Sequence, residues 1–191
     1  MWKEFWKELG NKFMNSFYSE EELSTLGLKH YGKNVLISRK CSIYSPGKIS
    51  IGDNVRIDDF CVLSGEIMLG SHIHIAVYCA IYGSFGVEME DYTGLSPRCT
   101  VFSATDDFSG NFLISPMIAD EKTNVTGGKV IIKQYSQIGA NCVIFPNTTI
   151  NKGVAVGAMS LINSNLSEWG IYAGIPAKRI KDREKGLLKL I

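Results

Sequence analysis

The sequence predicts an all-β fold: a parallel β-helix wound from short strands, with short helices before it, one long loop inserted into it and a helix after it. Three observations support this prediction. Aliphatic residues recur at every sixth position, glycine lies where that spacing slips, and every cysteine keeps a fixed distance from the repeat. A chain of 191 residues is long enough for one such domain with a sizeable core.

The N-terminal segment, residues 1–29, is expected to form two short helices. Ser19, with Glu22 three residues later, predicts a capping box at the start of the second helix. We expect the first helix to pack on its own protein or on a neighbouring subunit. Attachment to a membrane surface is the alternative, although acidic residues offset the lysines of this helix. The apolar residues at helical spacing in the first helix are Trp2, Phe5, Trp6, Leu9 and Phe13.

The region from residue 30 to residue 165 carries the six-residue repeat. A helix face needs a spacing of three and four, and a strand needs a spacing of two. A spacing of six is explained by a chain that turns a corner after every short strand, so that three strands make a triangular coil and the coils stack about 4.8 Å apart. The residues expected to point into this prism are Ile37, Ile43, Ile51, Ile57, Leu63, Leu69, Ile75, Ile81, Met89, Leu95, Val101, Ile132, Ile138, Ile144, Ile150, Val156 and Ile162.

The repeat is disturbed at three places. Its spacing widens from six to eight at residues 43–51 and again at residues 81–89, and both stretches contain glycine, so we expect a bulging corner at each. Residues 102–128 break the repeat altogether and are rich in Ser, Thr, Asp, Asn and Gly. This segment is predicted to be a long loop inserted into the β-helix.

The five cysteines test the repeat independently, because each falls four residues after an inward aliphatic residue. This position needs a small or β-branched side chain near a corner. We therefore expect reduced packing thiols and not a disulfide framework or a metal cluster, and the sequence contains no Cys-x-x-Cys pair. The cysteines are Cys41, Cys61, Cys79, Cys99 and Cys142.

These repeats resemble the hexapeptide-repeat acyltransferases, whose fold is a left-handed parallel β-helix. The segment "IYAGIPAKRIK" (171–181) is similar to the Gly-x-Pro-Ala segment that closes the coenzyme A site in sugar acetyltransferases of this family. The stretches "NVLISRK", "IGDNVRIDDF", "DDFSG" and "WGIYAGIPAK" are similar to N-acetyltransferases of nucleotide-activated 4-amino-4,6-dideoxy sugars. The resemblance implies that residues 166–191 close the coenzyme A site and end in a helix.

The resemblance also implies a homotrimer, with acetyl-CoA as co-substrate in the groove between two adjacent prisms. Small residues after the inward aliphatic positions would let the thioester arm approach the backbone, and a basic cluster would meet the coenzyme phosphates. Alternatively, the small residues fit tight corners and the basic residues belong to a solvated C-terminal helix. The implied coenzyme-binding residues are Gly139, Ala140, Gly157, Ala158, Ala173, Gly174, Pro176, Lys178 and Arg179.

Candidates for catalysis come from the few histidines and from the inserted loop. Relatives that acetylate a sugar hydroxyl have a histidine in this loop, whereas residues 102–128 contain none. His74 should face outward beside the acetyl group, as a general base or, alternatively, as a structural histidine. Asp106 and Asp107 open the loop and would hold the sugar or act as base; an Asx-turn is the alternative. The "DDF" stretch at 58–60 is expected on an outer face, exposed or at an interface.

We therefore expect an acetyl-CoA-dependent N-acetyltransferase that acts on a nucleotide-linked 4-amino-4,6-dideoxy sugar for surface polysaccharide biosynthesis, such as that of O-antigen lipopolysaccharide. A sugar O-acetyltransferase is the alternative, and a non-catalytic scaffold is a more remote one. A γ-carbonic anhydrase needs three imidazoles for zinc, but His30 precedes the repeats and leaves only His72 and His74, so no metal is expected.

The composition of the chain indicates little about its binding partners or its location. The formal net charge is +1, which gives no general attraction to nucleic acid or to anionic membranes. No apolar run approaches the roughly 20 residues that span a bilayer. Glu4 and Glu8 interrupt the stretch where a secretory signal would need apolar residues. We therefore expect a cytoplasmic protein that binds neither nucleic acid nor membrane.

Overall fold

The structure, a computed structural model, describes residues 16–190, so the first predicted helix lies outside the described residues. The second predicted helix is α1 (Glu20–Thr25). Its capping box is confirmed, because the Glu22 amide donates to Ser19 Oγ at 3.2 Å and the Ser19 amide donates to Glu22 Oε2 at 2.7 Å. Leu23 is the buried residue of this helix and joins the core of the β-helix.

Short parallel strands form the three faces of a prism. Successive coils add one strand to each face, and among the described residues the second face has one strand more than the other two. The first face contains β1 (His30–Tyr31), β4 (Ile49–Ile51), the second halves of β6 (Val62–Leu69) and β8 (Ala80–Met89), β13 (Val130–Ile132) and β16 (Thr149–Ile150). The second face contains β2 (Val35–Ile37), β5 (Val55–Ile57), β7 (Ile73–Ile75), β9 (Gly94–Leu95), β14 (Gln137–Ile138), β17 (Ala155–Val156) and β19 (Gly170–Ala173). The third face contains β3 (Ser42–Tyr44), the first halves of β6 and β8, β10 (Thr100–Phe102), β15 (Val143–Ile144) and β18 (Leu161–Ile162).

The predicted parallel β-helix is therefore present. His30 lies within β1 and not before the first coil, which corrects the position expected from the sequence. The boundaries between segments at residues 29 and 165 remain predictions. Among the described residues, no helix has the length and the apolar composition that crossing a membrane requires.

The core of the prism is the column of aliphatic residues that the repeat predicts. Every residue of the predicted inward set is buried except Ile43, which is half-buried in β3 at the open end of the third face. Strand residues alternate between the inside and the outside of the prism. Each inward side chain therefore stacks on its equivalents in the coils above and below.

The cysteines pack as predicted: all five are free and buried. Four of them stack along the corner between the second and third faces. Each sulfur lies 3.1–3.2 Å from a backbone carbonyl of the following coil, where its S–H can donate a weak hydrogen bond. These four are Cys61, Cys79, Cys99 and Cys142.

Both predicted bulges and the predicted insertion are present. Residues 43–51 bulge through a 3₁₀ helix, Pro46–Lys48. In β8, Gly86 has a φ of 93°, and the pairing with β6 shifts register at this corner. At the base of the insertion, β11 (Ala104–Thr105) pairs antiparallel with β12 (Thr126–Gly127). A second 3₁₀ helix, Asp120–Lys122, lies within the loop.

The predicted C-terminal helix is wrong. Residues Lys178–Asp182 form a strand, β20, that pairs antiparallel with β19, and only Gly186–Lys189 is helical, as a 3₁₀ turn. The physical reason is the edge of the last coil. β19 would otherwise leave a row of backbone groups without partners, and the returning chain satisfies them.

Candidate active site

A groove of about 380 Å³ runs across the outer surface of the second face. His74 of β7, Gly94 of β9 and Gln137 of β14 are paired in register, so their outward positions are adjacent. Gly94 has no side chain to fill its place, and a Cβ there would lie 2.6 Å from Gln137 Oε1. The missing side chain at Gly94 leaves room for the Gln137 side chain, whose amide group lies over Gly94 and lines the groove. Ser96 lines the same groove.

His74 is held in place by a buried carboxylate. Its Nε2 lies 2.8 Å from Asp58 Oδ2, and Arg56 Nε donates to Asp58 Oδ1 at 2.6 Å. Burial alone would raise the pKa of Asp58, but the hydrogen bonds from His74 and Arg56 bring it below its ordinary value. A carboxylate only accepts hydrogen bonds, so Nε2 carries the hydrogen, and Nδ1 of the neutral ring keeps a free lone pair.

The expectation that Asp58 is exposed or at an interface is therefore wrong, since the residue is only 8% exposed. The next aspartate, Asp59, is half-buried and pairs with Lys40 at 2.8 Å. Only Phe60 of the "DDF" stretch is exposed, as expected. His72 stands at a corner with a φ of 60° and stacks on the Tyr92 ring at 4.5 Å between centroids, and both residues line the groove.

The predicted small residues continue the groove as a strip along the second face. Ser96, Gly139, Gly157 and Ala173 each follow an inward residue of successive coils, and we call these four residues the small-residue strip. A Cβ at Gly139 would lie 2.6 Å from the Ala158 amide nitrogen, and one at Gly157 would lie 3.1 Å from the Ala173 Cβ. Coil stacking therefore requires glycine at position 139, and the strip keeps its backbone accessible.

The other predicted coenzyme residues lie beside this strip or beyond its end. Gly174 has a φ of 104°, which favours glycine, and its amide donates to Ser160 Oγ at 3.0 Å. The remaining three small residues lie at the corner between the second and third faces: Ala140, which is half-buried, and Ala158 and Pro176, which are exposed.

Lys178 and Arg179 lie in β20 and not on a helix. Arg179 donates to Asp182 at 2.8 Å and to the Tyr172 hydroxyl at 3.1 Å, and its hydrogen bonds to these two acceptors raise the pKa of Arg179. Consecutive strand residues point to opposite sides. The two cations therefore do not form one cluster, and Arg179 is partly committed to the fold.

The two loop aspartates have different surroundings. Asp107 Oδ1 accepts from the Ser109 amide at 2.7 Å, and Oδ2 accepts from Asn124 Nδ2 at 2.8 Å; these hydrogen bonds lower its pKa. Asp107 thus forms the Asx-turn that was the alternative to a chemical role. Asp106 is half-buried and lines a cavity of about 240 Å³ on the third face. In the described part of the chain, no group donates a hydrogen bond to its carboxylate.

His74 and Ser96 therefore share one groove, whereas Asp106 lines a separate cavity that has no lining residue in common with it. The sequence did not identify Ser96 or Asp58 as site residues. A signal for both was present, because each directly follows an inward residue of the second face, which is the position that the small-residue strip occupies in other coils. Among residues 16–190, no group of three or more His, Cys, Asp or Glu side chains could hold a metal ion.

Comparison with known proteins decides the family. No protein-family model matches the chain. The chain is 40% identical to a dTDP-4-amino-4,6-dideoxy-D-glucose acyltransferase of Escherichia coli, over 92% of this chain and 93% of that protein. The chain belongs to this acyltransferase family. It is also 29% identical to WbbJ of Escherichia coli K12, a putative lipopolysaccharide biosynthesis O-acetyl transferase, over 76% of this chain and 78% of that protein.

Solved structures agree with this family assignment. AntD, an N-acyltransferase from Bacillus cereus, is 54% identical and superposes with a TM-score of 0.91 over 93% of this chain and 95% of AntD. AntD has been crystallised with dTDP-4-amino-4,6-dideoxyglucose and coenzyme A, and with dTDP and 3-hydroxybutyryl-CoA. The AntD structures include mutants of a serine and of an aspartate ten positions further along.

A more distant structure, the hexapeptide-repeat acetyltransferase VCA0836 of Vibrio cholerae, shares the fold at 16% identity and a TM-score of 0.64, over 90% of this chain and 82% of VCA0836. The left-handed β-helix implied by the sequence resemblance is thereby confirmed.

Proposed function

We propose that this chain is a coenzyme A-dependent N-acyltransferase, with acetyl-CoA as its donor. It transfers the acyl group to the amine of a nucleotide-linked 4-amino-4,6-dideoxy sugar. The observation that carries this proposal is the carboxylate of Asp106, which is half-buried, faces a mostly apolar cavity and accepts no hydrogen bond from the described residues. A carboxylate in such a place needs a cationic or hydrogen-bonding partner. The amine of an amino sugar supplies one.

The spacing of two polar residues supports the assignment. In AntD the mutated serine and aspartate are ten positions apart. In this chain one serine alone is followed ten residues later by an aspartate, and the pair is Ser96 and Asp106. Ser96 lies in the groove and Asp106 in the cavity, so each of the two sites contributes one member of the pair.

The thioester arm of the coenzyme would lie along the small-residue strip. Three coil steps separate Ala173 from Ser96, a length of about 14 Å at the usual strand spacing. The amides of Ser96, Gly139 and Gly157 already donate to carbonyls of the following coil, so the strip contributes close approach of the arm to the backbone. Lys178 pairs in register with Ala173 and so lies on the side of the strip, where it would meet the phosphates. Arg179 lies on the opposite side with Tyr172 and would hold β20 in place. The proposed coenzyme-binding residues are Gly139, Ala140, Gly157, Ala158, Ala173, Gly174, Pro176 and Lys178.

The reaction needs little more than positioning and a proton acceptor. The lone pair of the neutral sugar amine attacks the thioester carbonyl carbon, a C–N bond forms, the C–S bond breaks and the coenzyme leaves as its thiolate. Nδ1 of His74 takes the proton that the amine loses, and Asp58 stabilises the imidazolium that results. Asp106 orients the amine, and Asp107 holds the loop that carries Asp106.

The active site is completed between subunits of a homotrimer in this proposal. His74 and Asp106 lie on different faces of one prism, so the groove of one subunit needs the loop of its neighbour. The loop carries exposed apolar side chains, including Phe108 (80% exposed) and Met117 (90% exposed), which a neighbour would cover. We place the enzyme in the cytoplasm, where it would supply a surface polysaccharide such as O-antigen lipopolysaccharide.

The test is coenzyme release from acetyl-CoA with dTDP-4-amino-4,6-dideoxyglucose as acceptor, against a galactoside or maltose. Turnover with the amino sugar should exceed that with either hydroxyl acceptor. Asp106→Asn should lower kcat/KM for the sugar by about 100-fold, since it removes a charge-assisted contact. Ser109→Ala, in the same loop, should stay close to the wild type. Faster transfer to a hydroxyl would exclude the proposal and favour the O-acetyltransferase alternative.

A further inference from the structure

The cavity around Asp106 is lined by this one charged side chain, by three aromatic rings and by Ala104, Thr105 and Pro146. Phe102 and Phe145 occupy equivalent positions in adjacent coils, because Val101 pairs with Ile144, and Phe108 of the loop closes the side of the cavity. We call Phe102, Phe108 and Phe145 the aromatic wall. The ring of Tyr82 stacks on the ring of Phe102, with 5.4 Å between the two centroids.

Within one subunit, the side chains of the cavity offer almost nothing that could hydrogen-bond a second polar group. Among the described residues that line it, Thr105 is the only other polar side chain. Its hydroxyl donates to the backbone carbonyl of Asp106 at 3.2 Å. Once an amine occupies the Asp106 carboxylate, a hydroxyl buried against the aromatic wall would lose its water without gaining a partner.

The chemistry of the sugar puts its sixth carbon against this wall. In a 4-amino hexose, the amine is on C4 and the sixth carbon is attached to the neighbouring ring atom, C5. A ligand whose amine faces Asp106 therefore brings C6 close to the rings of Phe102 and Phe145. A methyl group at C6 gains from burial against them, whereas a hydroxymethyl group must bury its hydroxyl.

We propose that the aromatic wall is the specificity determinant that selects a 6-deoxy sugar over its 6-hydroxy counterpart. This inference rests on the function proposed above and adds to it the residues that recognise C6. The cavity discriminates by the absence of a partner for the hydroxyl and not by size alone. An apolar pocket rejects an added hydroxyl by about 100-fold at most.

The test compares kcat/KM for dTDP-4-amino-4,6-dideoxyglucose with that for dTDP-4-amino-4-deoxyglucose, which keeps its 6-hydroxyl. The wild type should prefer the dideoxy sugar by about 10- to 100-fold. Phe145→Asn supplies a hydrogen-bond partner for the 6-hydroxyl. It should reduce the preference to less than about 3-fold, because most of the cost of burying an unpaired hydroxyl is removed. Phe145→Leu keeps the wall apolar and should retain the preference.

Tyr44→Asn is the matched control. Tyr44 lies in the same outward column of the third face, three coils from the cavity, and is 58% exposed. This variant should keep the wild-type preference. Equal kcat/KM values for the two sugars in the wild type, or loss of the preference in Phe145→Leu as well, would overturn the inference while leaving the proposed function intact. Acylation of neither sugar would overturn the proposed function itself.

Discussion

Replacing Asp58 by asparagine tests the role of the buried carboxylate beneath His74. The substitution keeps the shape of the side chain but removes its charge. His74 and Arg56 then each face a neutral amide where they now face a carboxylate. An amide can present N–H to the imidazole, which favours the ring tautomer with hydrogen on Nδ1 and removes the lone pair from the groove side.

The size of the effect follows from two hydrogen bonds with exposed partners. Hydrogen bonds to charged groups contribute about 1.5–3 kcal/mol each when they are shielded. The side chains of Arg56 and His74 are each 55% exposed, so solvent screens both. We expect Asp58→Asn to cost about 1–2 kcal/mol in total. In a chain of this size that lowers Tm by about 2–8 °C, and kcat should fall about 10- to 100-fold through the misoriented base.

The stability effect has a defined dependence on pH. The pKa of Asp58 is lower in the folded protein than in the unfolded chain. The charged carboxylate therefore stabilises the fold above the unfolded pKa of about 3.9, and this stabilisation is lost as the pH falls through the lower folded pKa. The Tm difference between wild type and Asp58→Asn should therefore shrink below about pH 4. Melting curves at pH 7 and at pH 3 measure this change.

The kinetic assay follows coenzyme release under saturating sugar, and the ¹⁵N shifts of the His74 ring report its tautomer. Asp59→Asn is the matched control, because Asp59 pairs with Lys40 and not with His74. This control should keep both the wild-type kcat and the wild-type ring shifts. A wild-type kcat in Asp58→Asn would refute the positioning role, and an unchanged tautomer would refute its mechanism.

Three further predictions concern the loop, the strip and the thiols. Asp107→Ala removes the bonds to Ser109 and Asn124 and should raise KM for the nucleotide sugar several-fold with little change in Tm, measured by initial rates and melting curves. Gly139→Ala should destabilise the fold by about 1–3 kcal/mol and so lower Tm, whereas Ala158→Phe should keep Tm and raise KM for acyl-CoA. An unchanged Tm in Gly139→Ala together with an unchanged KM in Ala158→Phe would show that the coenzyme does not lie along the small-residue strip. All five cysteines should resist a thiol reagent in the native protein and react in denaturant, and fast native labelling would contradict their burial.

The architecture of the prism could be predicted because its signal is local. The six-residue period places one aliphatic residue on each short strand, and residues such as Ile75 and Ile138 are buried wherever the period predicts. The widened corner at residues 81–89 could be predicted for the same reason, since extra residues must bulge where the coil turns. These features depend on neighbouring residues in the chain and on the regular stacking of coils.

The parts that could not be predicted depend on contacts between distant segments. Asp58 and His74 are sixteen residues apart and meet only because consecutive coils stack in register. β20 forms because the last coil leaves a strand edge open, and nothing within residues 178–182 distinguishes a strand from an amphipathic helix. Asp106 and Asp107 are adjacent in sequence, and either could have formed the Asx-turn; Asp107 accepts from the Ser109 amide and also from Asn124, seventeen residues away on the far side of the loop.

The central claim is that an amine on a nucleotide-linked sugar receives the acyl group, and the product tests it most directly. The protein is incubated with acetyl-CoA and dTDP-4-amino-4,6-dideoxyglucose, and the product is weighed by mass spectrometry before and after mild alkali. We predict a sugar nucleotide that is heavier by one acetyl group and keeps that mass in alkali, because an amide resists hydrolysis. A product that loses the acetyl group in alkali would be an ester, and it would contradict the assignment.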